Sequence, residues 1–161
     1  MKSKQKHSLL VVFSILVLTG CNCDTGSTDD SDAGPQLESQ VFTLNDATLI
    51  NESFGTVRLF TEGNVSTYGD KQVTSGVLTI LPGQEAHPPH KHAEEEYLIV
   101  TKGSGTWSIN GKEFPAQTGD LLYASPWDLH GIHNSDTVDL EFFFVKWNNK
   151  GVKTPEENST N

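Results

Sequence analysis

From residue 41 onward, apolar and polar positions alternate with a period of two, and glycine, proline, asparagine and aspartate interrupt the short runs. Because successive side chains of a strand point to opposite faces, this pattern is typical of half-buried β-strands. The pattern predicts strands at 41–44, 56–60, 73–81, 96–101, 105–109, 112–114, 120–124, 130–133 and 138–147. Short strands separated by frequent turns indicate a single all-β domain, either a sandwich or a barrel.

Turn residues set the expected connections. Asn110-Gly111 is the strongest two-residue hairpin signal, and it should join the strand at 105–109 to the one at 112–114. Lys102-Gly103 predicts a turn that closes the strand at 96–101 onto the strand at 105–109.

The last predicted strand is apolar on both faces. Leu140, Phe142 and Phe144 lie on one face, and Phe143, Val145 and Trp147 lie on the other. Such a strand should lie between the core of the domain and a second covering element. The cover is either the N-terminal segment or a second copy of the chain in a homodimer, and the sequence leaves both open.

Five of the six histidines lie between positions 87 and 133. His90, His92 and Glu96 have the same parity, so on a strand they would point to one side of a sheet. The segment 119–134 adds a third imidazole, His130, which follows a turn containing Pro126. We therefore predict a divalent metal site formed by His90, His92, Glu96 and His130.

Three imidazoles and one carboxylate leave two open positions on an octahedral ion. This geometry favours iron, manganese or nickel over zinc, which prefers four ligands. Such an ion could hold a small molecule through two oxygens or bind oxygen beside it. Glu96 could also dissociate and act as a catalytic base.

Other residues near these motifs have weaker assignments. His87 is expected at the cavity mouth, because the prolines after it break the alternation, and His133 should face outward. Asn134 is expected in a turn or hydrogen-bonded behind the ligands, and Trp127 at the pocket rim. Glu85, Glu94 and Glu95 are interpreted as a solvated edge whose negative charge would disfavour anionic ligands. The apolar wall of the pocket is predicted from Leu98, Val100, Leu122 and Ile132, while Trp107 and Tyr123 fit either the pocket or the core.

These two segments resemble the paired motifs of the cupin family. Gly83, His90, His92, Glu96 and Gly103 follow the first motif, with one extra residue before His90. The second motif is matched from Gly119 to Asn134, although Asp128 replaces its usual glycine and His130 comes one residue early. The resemblance implies a cupin-type double-stranded β-helix, or jelly roll, over residues 37–148, and the departures concern the path of the loop that leads to His130.

The first 20 residues have the composition of a signal peptide. Three lysines within the first six positions precede an apolar run at 9–18 that is too short to span a bilayer as a helix. Leu18-Thr19-Gly20-Cys21 resembles the bacterial lipobox, which implies cleavage before Cys21 and lipidation of that residue. The predicted location is the cell envelope, on a lipid anchor facing the periplasm or the cell exterior.

Composition predicts unstructured flanks and excludes some functions. Residues 21–36 are polar and acidic and should form a flexible tether, and 149–161 should form a disordered tail. Loss of the first 20 residues would leave eight basic and 21 acidic residues, a net charge of −13, so nucleic acid is not an expected partner. Cys23 lies next to the anchor, which argues against a disulfide framework or a nucleophilic cysteine.

The sequence supports two main classes of function, ahead of a third, a purely structural lipoprotein without an ion. The first is a metal-dependent enzyme of small molecules, with dioxygenase-type chemistry ahead of isomerase or lyase chemistry. The second is a non-catalytic lipoprotein that binds a sugar, another metabolite or the metal itself. Because one fold hosts many functions, the fold alone does not separate the two.

Overall fold

The computed structural model describes residues 33–154, 156 and 157, and this part of the chain contains nine β-strands. The strands are β1 (Thr48–Glu52), β2 (Gly55–Glu62), β3 (Asp70–Ile80), β4 (Glu95–Lys102), β5 (Ser104–Ile109), β6 (Lys112–Gln117), β7 (Leu121–Ala124), β8 (His130–His133) and β9 (Leu140–Asn149). They form a six-stranded sheet, β1-β2-β3-β9-β4-β7, and a three-stranded sheet, β6-β5-β8. Every pairing between these strands is antiparallel.

The two sheets pack face to face around one apolar core. Strand β9 contributes Leu140, Phe142 and Phe144, all nearly inaccessible to solvent, from the middle of the larger sheet. Trp107 of β5 and Ile132 of β8 contact the same cluster from the smaller sheet. Burial of side chains this large is the main favourable term that holds such a sandwich together.

The hairpin predicted at Asn110-Gly111 is confirmed. Ile109 pairs with Lys112, and the two residues between them have φ angles of 48° and 75°. Two successive positive φ angles define the turn type that matches the twist of a two-residue hairpin. The side chain of Asn110 also contacts the loop that precedes His130.

The prediction of a strand at 41–44 is wrong, and strand β1 was missed. The carboxylate of Asp46 accepts hydrogen bonds from both the backbone N–H and the hydroxyl of Thr43, which holds this stretch in a turn. Val41 is 83% exposed, so its apolar side chain gives no burial to favour a strand. Strand β1 is an edge strand with every residue exposed, and it therefore lacks the alternation that would mark it in the sequence.

The turn at Lys102-Gly103 has a different role from the predicted one. It carries the chain from β4 in the larger sheet to β5 in the smaller sheet, so the two strands do not pair. A side chain at Gly103, which has a φ of 77°, would collide with the carbonyl of Asp139. The turn therefore brings two layers together at a place where a Cβ has no room.

The second face of β9 lies on the outside of the larger sheet. Phe143, Val145 and Trp147 are only half-buried there. The neighbouring strands add apolar residues that are between 39% and 59% exposed, namely Tyr97, Ile99, Leu121 and Tyr123. The described N-terminal residues leave this part of the face uncovered.

Both flanks of the domain contact the region around residue 66. Ser66 donates from its hydroxyl to the carbonyl of Gly34 at 2.7 Å, and its backbone N–H donates to Pro35. After β9, the ammonium of Lys150 donates to the carbonyl of Thr67 at 2.6 Å. The predicted signal peptide, Cys21 and most of the predicted tether lie outside the described residues. Within the described ranges, no helix is long and apolar enough to span a bilayer.

Candidate metal centre

A two-residue bridge places His90 directly opposite His130. The backbone N–H of each residue donates to the carbonyl of the other, and both bonds are 2.9 Å long. Directly paired residues of an antiparallel bridge project to the same face. The segment before β4 therefore runs along β8 and directs the two imidazoles into the space between the sheets.

His92 and Glu96 reach the same space from different local structures, because His92 precedes the strand and Glu96 lies on it. Strand β4 begins only at Glu95, so parity on a strand accounts for Glu96 but not for His92. His92 lies in the loop before the strand, and its Nδ1 lies 3.1 Å from the carbonyl of Glu94. This contact to the following turn fixes the orientation of the imidazole ring.

The three imidazoles form a compact group that could hold a metal ion. One ligand atom from each of His90, His92 and His130 lies within 4.8 Å of the others. The ring centroids are 4.7 to 5.2 Å apart. Glu96 joins them through Oε2, which lies 3.2 Å from Nε2 of His92 and 3.1 Å from Nε2 of His130.

The hydrogen-bond partners of the rings fit a bound cation. Nδ1 of His130 lies 2.8 Å from the carbonyl of Asp128, and Nδ1 of His92 faces the carbonyl of Glu94. Since a carbonyl only accepts, both Nδ1 atoms must carry hydrogen, which leaves the Nε2 lone pairs facing the Glu96 carboxylate. Lone pairs and an anionic oxygen repel one another unless a positive charge lies between them. A metal ion supplies that charge, and so does a proton on an imidazole.

His90 supplies a second sign of fit. Its Nδ1 is buried and has no hydrogen-bond partner within the described part of the chain. A buried polar atom without a partner loses its hydration without compensation. A cation bound among the three rings would compensate that nitrogen.

Protonation equilibria in the metal-free protein follow from the same contacts. Burial tends to raise the pKa of Glu96, but hydrogen bonds from His130 and His92 outweigh it and lower that pKa to about 2. Burial tends to lower the pKa of His130, yet the hydrogen bond to Glu96 raises it above its ordinary value. Burial, with the neighbouring imidazoles, lowers the pKa of His90 to about 4. The cluster therefore keeps an ionised carboxylate and a neutral His90 near pH 7, whereas a metal ion has to displace the proton that Glu96 favours on His130.

These shifts link stability to pH with opposite signs. Glu96 contributes stability that is present above its unfolded pKa of 4.5 and is lost as the pH falls towards 2. For His90, the folded pKa of about 4 lies below the unfolded value of 6.5, so stability is lost as the pH falls from 6.5 to 4. His130 acts in the other direction, since its raised pKa stabilises the protein below pH 6.5 and that contribution disappears at higher pH.

The loop before His130 departs from the family pattern, and side-chain contacts fix its path. Asn110 donates from Nδ2 to the Asp128 carboxylate at 2.8 Å and accepts the N–H of Leu129 at 3.0 Å. Trp127 adopts a positive φ of 66°, and its N–H donates to the carbonyl of His92. Asp128, which stands where the pattern has glycine, thus anchors the loop by its carboxylate and His130 by its carbonyl.

A cavity of about 270 Å³ opens beside the imidazoles. Most of its wall is apolar, and the predicted residues Leu98 and Ile132 contribute to it, whereas Val100 and Leu122 belong to the core. The cavity is lined by Leu59, Thr74, Leu78, Ala86, His87, His90, His92, Glu96, Leu98, Trp107, His130, Gly131, Ile132, Phe142, Phe144 and Lys146. Thr74 and Lys146 were not predicted to line the cavity, although Lys146 continues the even-numbered inner face of β9.

Two other histidines and Asn134 lie outside the group of proposed ligands. His87 is exposed at the cavity mouth, and its ring centroid is 4.0 Å from that of His90. His133 lines a groove on the outer face of the smaller sheet, opposite Glu85. Asn134 is fully buried, and its Nδ2 donates to the carbonyls of Ile80 and Val138, both at 2.8 Å, so it ties the loop before β9 to the end of β3.

Several expectations about the surroundings differ from the structure. Trp127 does not line the cavity. Tyr123 lies on the outer face, where its hydroxyl donates to Glu95 at 2.8 Å. Glu94 is not a solvated edge residue, because its side chain is 20% exposed and its carboxylate lies 3.4 Å from Nδ1 of His92.

The architecture and the site together define a class of protein. Two antiparallel sheets enclose a cavity in which two short segments place three histidines and a glutamate, and this is an all-β double-stranded β-helix, as predicted. Residues 76–146 match the family described as the cupin domain. The chain therefore contains a small cupin-type domain.

Similarity to known proteins extends over parts of their lengths. The chain is 37% identical over 66 residues to the oxalate-binding protein of Thermotoga maritima. The matched stretch covers 40% of this chain and 54% of that protein. The chain is also 30% identical over 101 residues to gentisate 1,2 dioxygenase 1 of Aquipseudomonas alcaligenes. This second match covers 59% of this chain and 29% of that protein. The chain thus spans about half, or less, of the length of these relatives.

A solved structure shows the same fold. The crystal structure of a predicted oxalate decarboxylase from Thermotoga maritima superposes with a TM-score of 0.52 at 24% sequence identity, covering 67% of this chain and 98% of that one. At this level of identity the likeness supports the fold alone. What the site does must be argued from its own residues.

Proposed function

We propose that this protein binds one divalent metal ion through His90, His92, His130 and Glu96 and uses it to act on a small organic molecule in the adjacent cavity. The observation that carries the proposal is the pair of Nε2 atoms, from His92 and His130, that face one carboxylate oxygen of Glu96 beside the buried Nδ1 of His90. When bound, the ion supplies Lewis acidity that polarises an oxygen of the small molecule. Iron, manganese or nickel fits the mixed nitrogen and oxygen donors with open positions better than zinc.

Dioxygenase-type chemistry is the first candidate activity, with isomerase or lyase chemistry next. The gentisate dioxygenase among the relatives supports this order. The residues of the chain would hold the molecule against the apolar wall and exclude water. Glu96 is the proposed base and would take a proton at its carboxylate.

One observation favours a non-catalytic alternative. The pKa of Glu96 is held near 2 while both imidazoles bond to its carboxylate, so it is a weak base in that state. One relative, the oxalate-binding protein of Thermotoga maritima, is named for binding a small molecule. A module that captures a metabolite, a sugar or the metal is therefore the second candidate.

Metal analysis of protein purified without added metal tests the proposal. We expect close to one equivalent of a transition metal in the wild type and its loss in His90→Ala, His92→Ala and His130→Ala. His133→Ala is the matched control, because this imidazole lies on the outer face of the smaller sheet. Absence of metal from the wild type, or equal content in all variants, would contradict the proposed site.

Oxygen consumption separates dioxygenase-type chemistry from the capture module. Metal-loaded protein is supplied with gentisate, catechols, diols and keto acids, and uptake of oxygen is recorded for the wild type and for Glu96→Gln. Uptake that Glu96→Gln abolishes, with metal content retained, supports the enzyme. Binding of one of these compounds without turnover supports the capture module.

We also propose that Cys21 carries a lipid that holds the domain at the cell envelope. The support comes from the order of basic, apolar and small residues before Cys21. Labelling of the expressed protein with a radioactive fatty acid, compared with Cys21→Ser, tests this anchor. Equal labelling of the two proteins would contradict it.

The exposed aromatic face of the larger sheet is the proposed homodimer surface. Tyr97 packs against Tyr123 and Trp147, with ring centroids 5.2 and 5.3 Å apart, and Ile99 is 43% exposed beside them. Light scattering should give twice the monomer mass for the wild type and a monomer for Ile99→Lys. A wild type that stays monomeric at high concentration would contradict the proposal.

A further inference from the structure

Lys146 is a cationic side chain on the wall of the metal cavity. It follows Leu140, Phe142 and Phe144 on the inner face of β9, so an otherwise apolar row ends in an ammonium group. The backbone of Lys146 is paired with Glu96 on one side and with Thr74 on the other. Residues paired in this way project to the same face, which places Lys146 next to the proposed ligand set.

The charge of Lys146 has no anionic partner in the described chain. The carboxylate of Glu96, the residue paired with Lys146 on β4, is turned towards His92 and His130. No carboxylate among the described residues lies within 4.0 Å of the Lys146 ammonium. A lysine that lines a mostly apolar cavity without an ion pair can be matched by an anion that enters the cavity.

We infer that Lys146 is a specificity-determining residue that selects small organic carboxylates as ligands of this cavity. The inference rests on the proposed metal function, because the ligand would place its carboxylate at Lys146 and a second oxygen at the imidazole cluster. The cavity of about 270 Å³ limits the ligand to a small molecule, and the apolar wall accommodates a hydrocarbon or aromatic body. This reverses the expectation from the acidic surroundings, since Glu85, Glu94 and Glu95 do not line the cavity and Lys146 does.

The test compares carboxylates with their neutral amides. Salicylate and salicylamide form an aromatic pair, and lactate and lactamide form an aliphatic pair. Binding is measured by calorimetry with the Mn²⁺-loaded wild type, Lys146→Met and Lys146→Arg. Lys112→Met is the matched control, because Lys112 is exposed on β6, away from the cavity.

We expect the wild type to bind at least one carboxylate more tightly than its amide. Lys146→Met should weaken that carboxylate about tenfold or more, as expected when a charge-assisted hydrogen bond is lost, and should leave the amide unchanged. Lys146→Arg should restore most of the affinity, and Lys112→Met should match the wild type. Equal affinity of Lys146→Met and wild type for the carboxylate, or no carboxylate binding in either pair, would overturn the inference.

Metal content, measured on the same samples, distinguishes this failure from failure of the proposed function. If Mn²⁺ binds normally and the charge at Lys146 makes no difference, only the assignment of Lys146 is wrong. If the wild type takes up no Mn²⁺, the metal function fails, and the comparison of carboxylates repeated in metal-free protein then judges Lys146 by itself.

Discussion

Replacement of Asn134 by alanine should destabilise the fold without removing the metal site. Asn134 is fully buried, and its amide makes three hydrogen bonds: Nδ2 donates to the carbonyls of Ile80 and Val138, and Oδ1 accepts the N–H of Asp136 at 3.0 Å. Each lost bond of this kind costs about 1 kcal/mol, and the backbone groups left without partners add to the cost. We expect a loss of about 3 kcal/mol in the free energy of unfolding, a large share of the ~5–15 kcal/mol typical of a domain.

Urea denaturation in the presence of a chelator measures this loss, because the chelator removes any contribution from bound metal. The control is Asn51→Ala, since Asn51 is exposed on the edge strand β1 and should change stability by less than about 0.5 kcal/mol. Below the unfolding transition, Asn134→Ala should still bind Mn²⁺ with the affinity of the wild type. A loss under about 1 kcal/mol, or a loss of metal from folded protein, would refute the assignment of Asn134 to the loop before β9.

Three further predictions concern the cluster and the hairpin. Mn²⁺ at 100 times its dissociation constant should stabilise the wild type by about 2.7 kcal/mol in urea and leave His130→Ala unchanged; equal responses would contradict binding at the cluster. Metal-free wild type should lose more stability between pH 6.5 and pH 4 than His90→Gln does, because the folded pKa of His90 is about 4; parallel pH profiles would show that burial does not suppress protonation there. Gly111→Ala should lower the free energy of unfolding by about 1 kcal/mol, because the φ of Gly111 is 75° although the space around it is open. The control is Gly69→Ala, where φ is not positive and the space is also open. Equal losses of stability in the two variants would contradict the argument from φ.

The sequence predicted the strands that alternate and missed those that do not. On β4, parity correctly placed Glu96, Leu98 and Val100 on the inner side. Strand β1 escaped because an exposed edge strand has no buried face to impose a pattern. The assignment of strands to sheets could not be derived from parity, since the partner of a strand depends on contacts between distant segments.

For the candidate site, spacing found the residues but gave the wrong reason for one of them. His92 was expected on a strand, yet it lies in a loop and is oriented by the carbonyl of Glu94. The bridge between His90 and His130 joins residues 40 positions apart, and no local pattern indicates it. Lys146 was not predicted at the site because a lysine at the end of an apolar row is normally expected to reach solvent.

The position of β9 has a consequence for how the cavity forms as the chain folds. This strand follows the other eight in the described chain, yet it lies in the middle of the larger sheet, between β3 and β4. A nascent chain that has emerged only as far as residue 139 already carries every histidine of the cluster, but it lacks Phe142, Phe144 and Lys146 of the cavity wall. Sheet pairing over such sequence distances is slow, so we expect the histidines to remain open to solvent and to stray metal ions until β9 has emerged and inserted between β3 and β4.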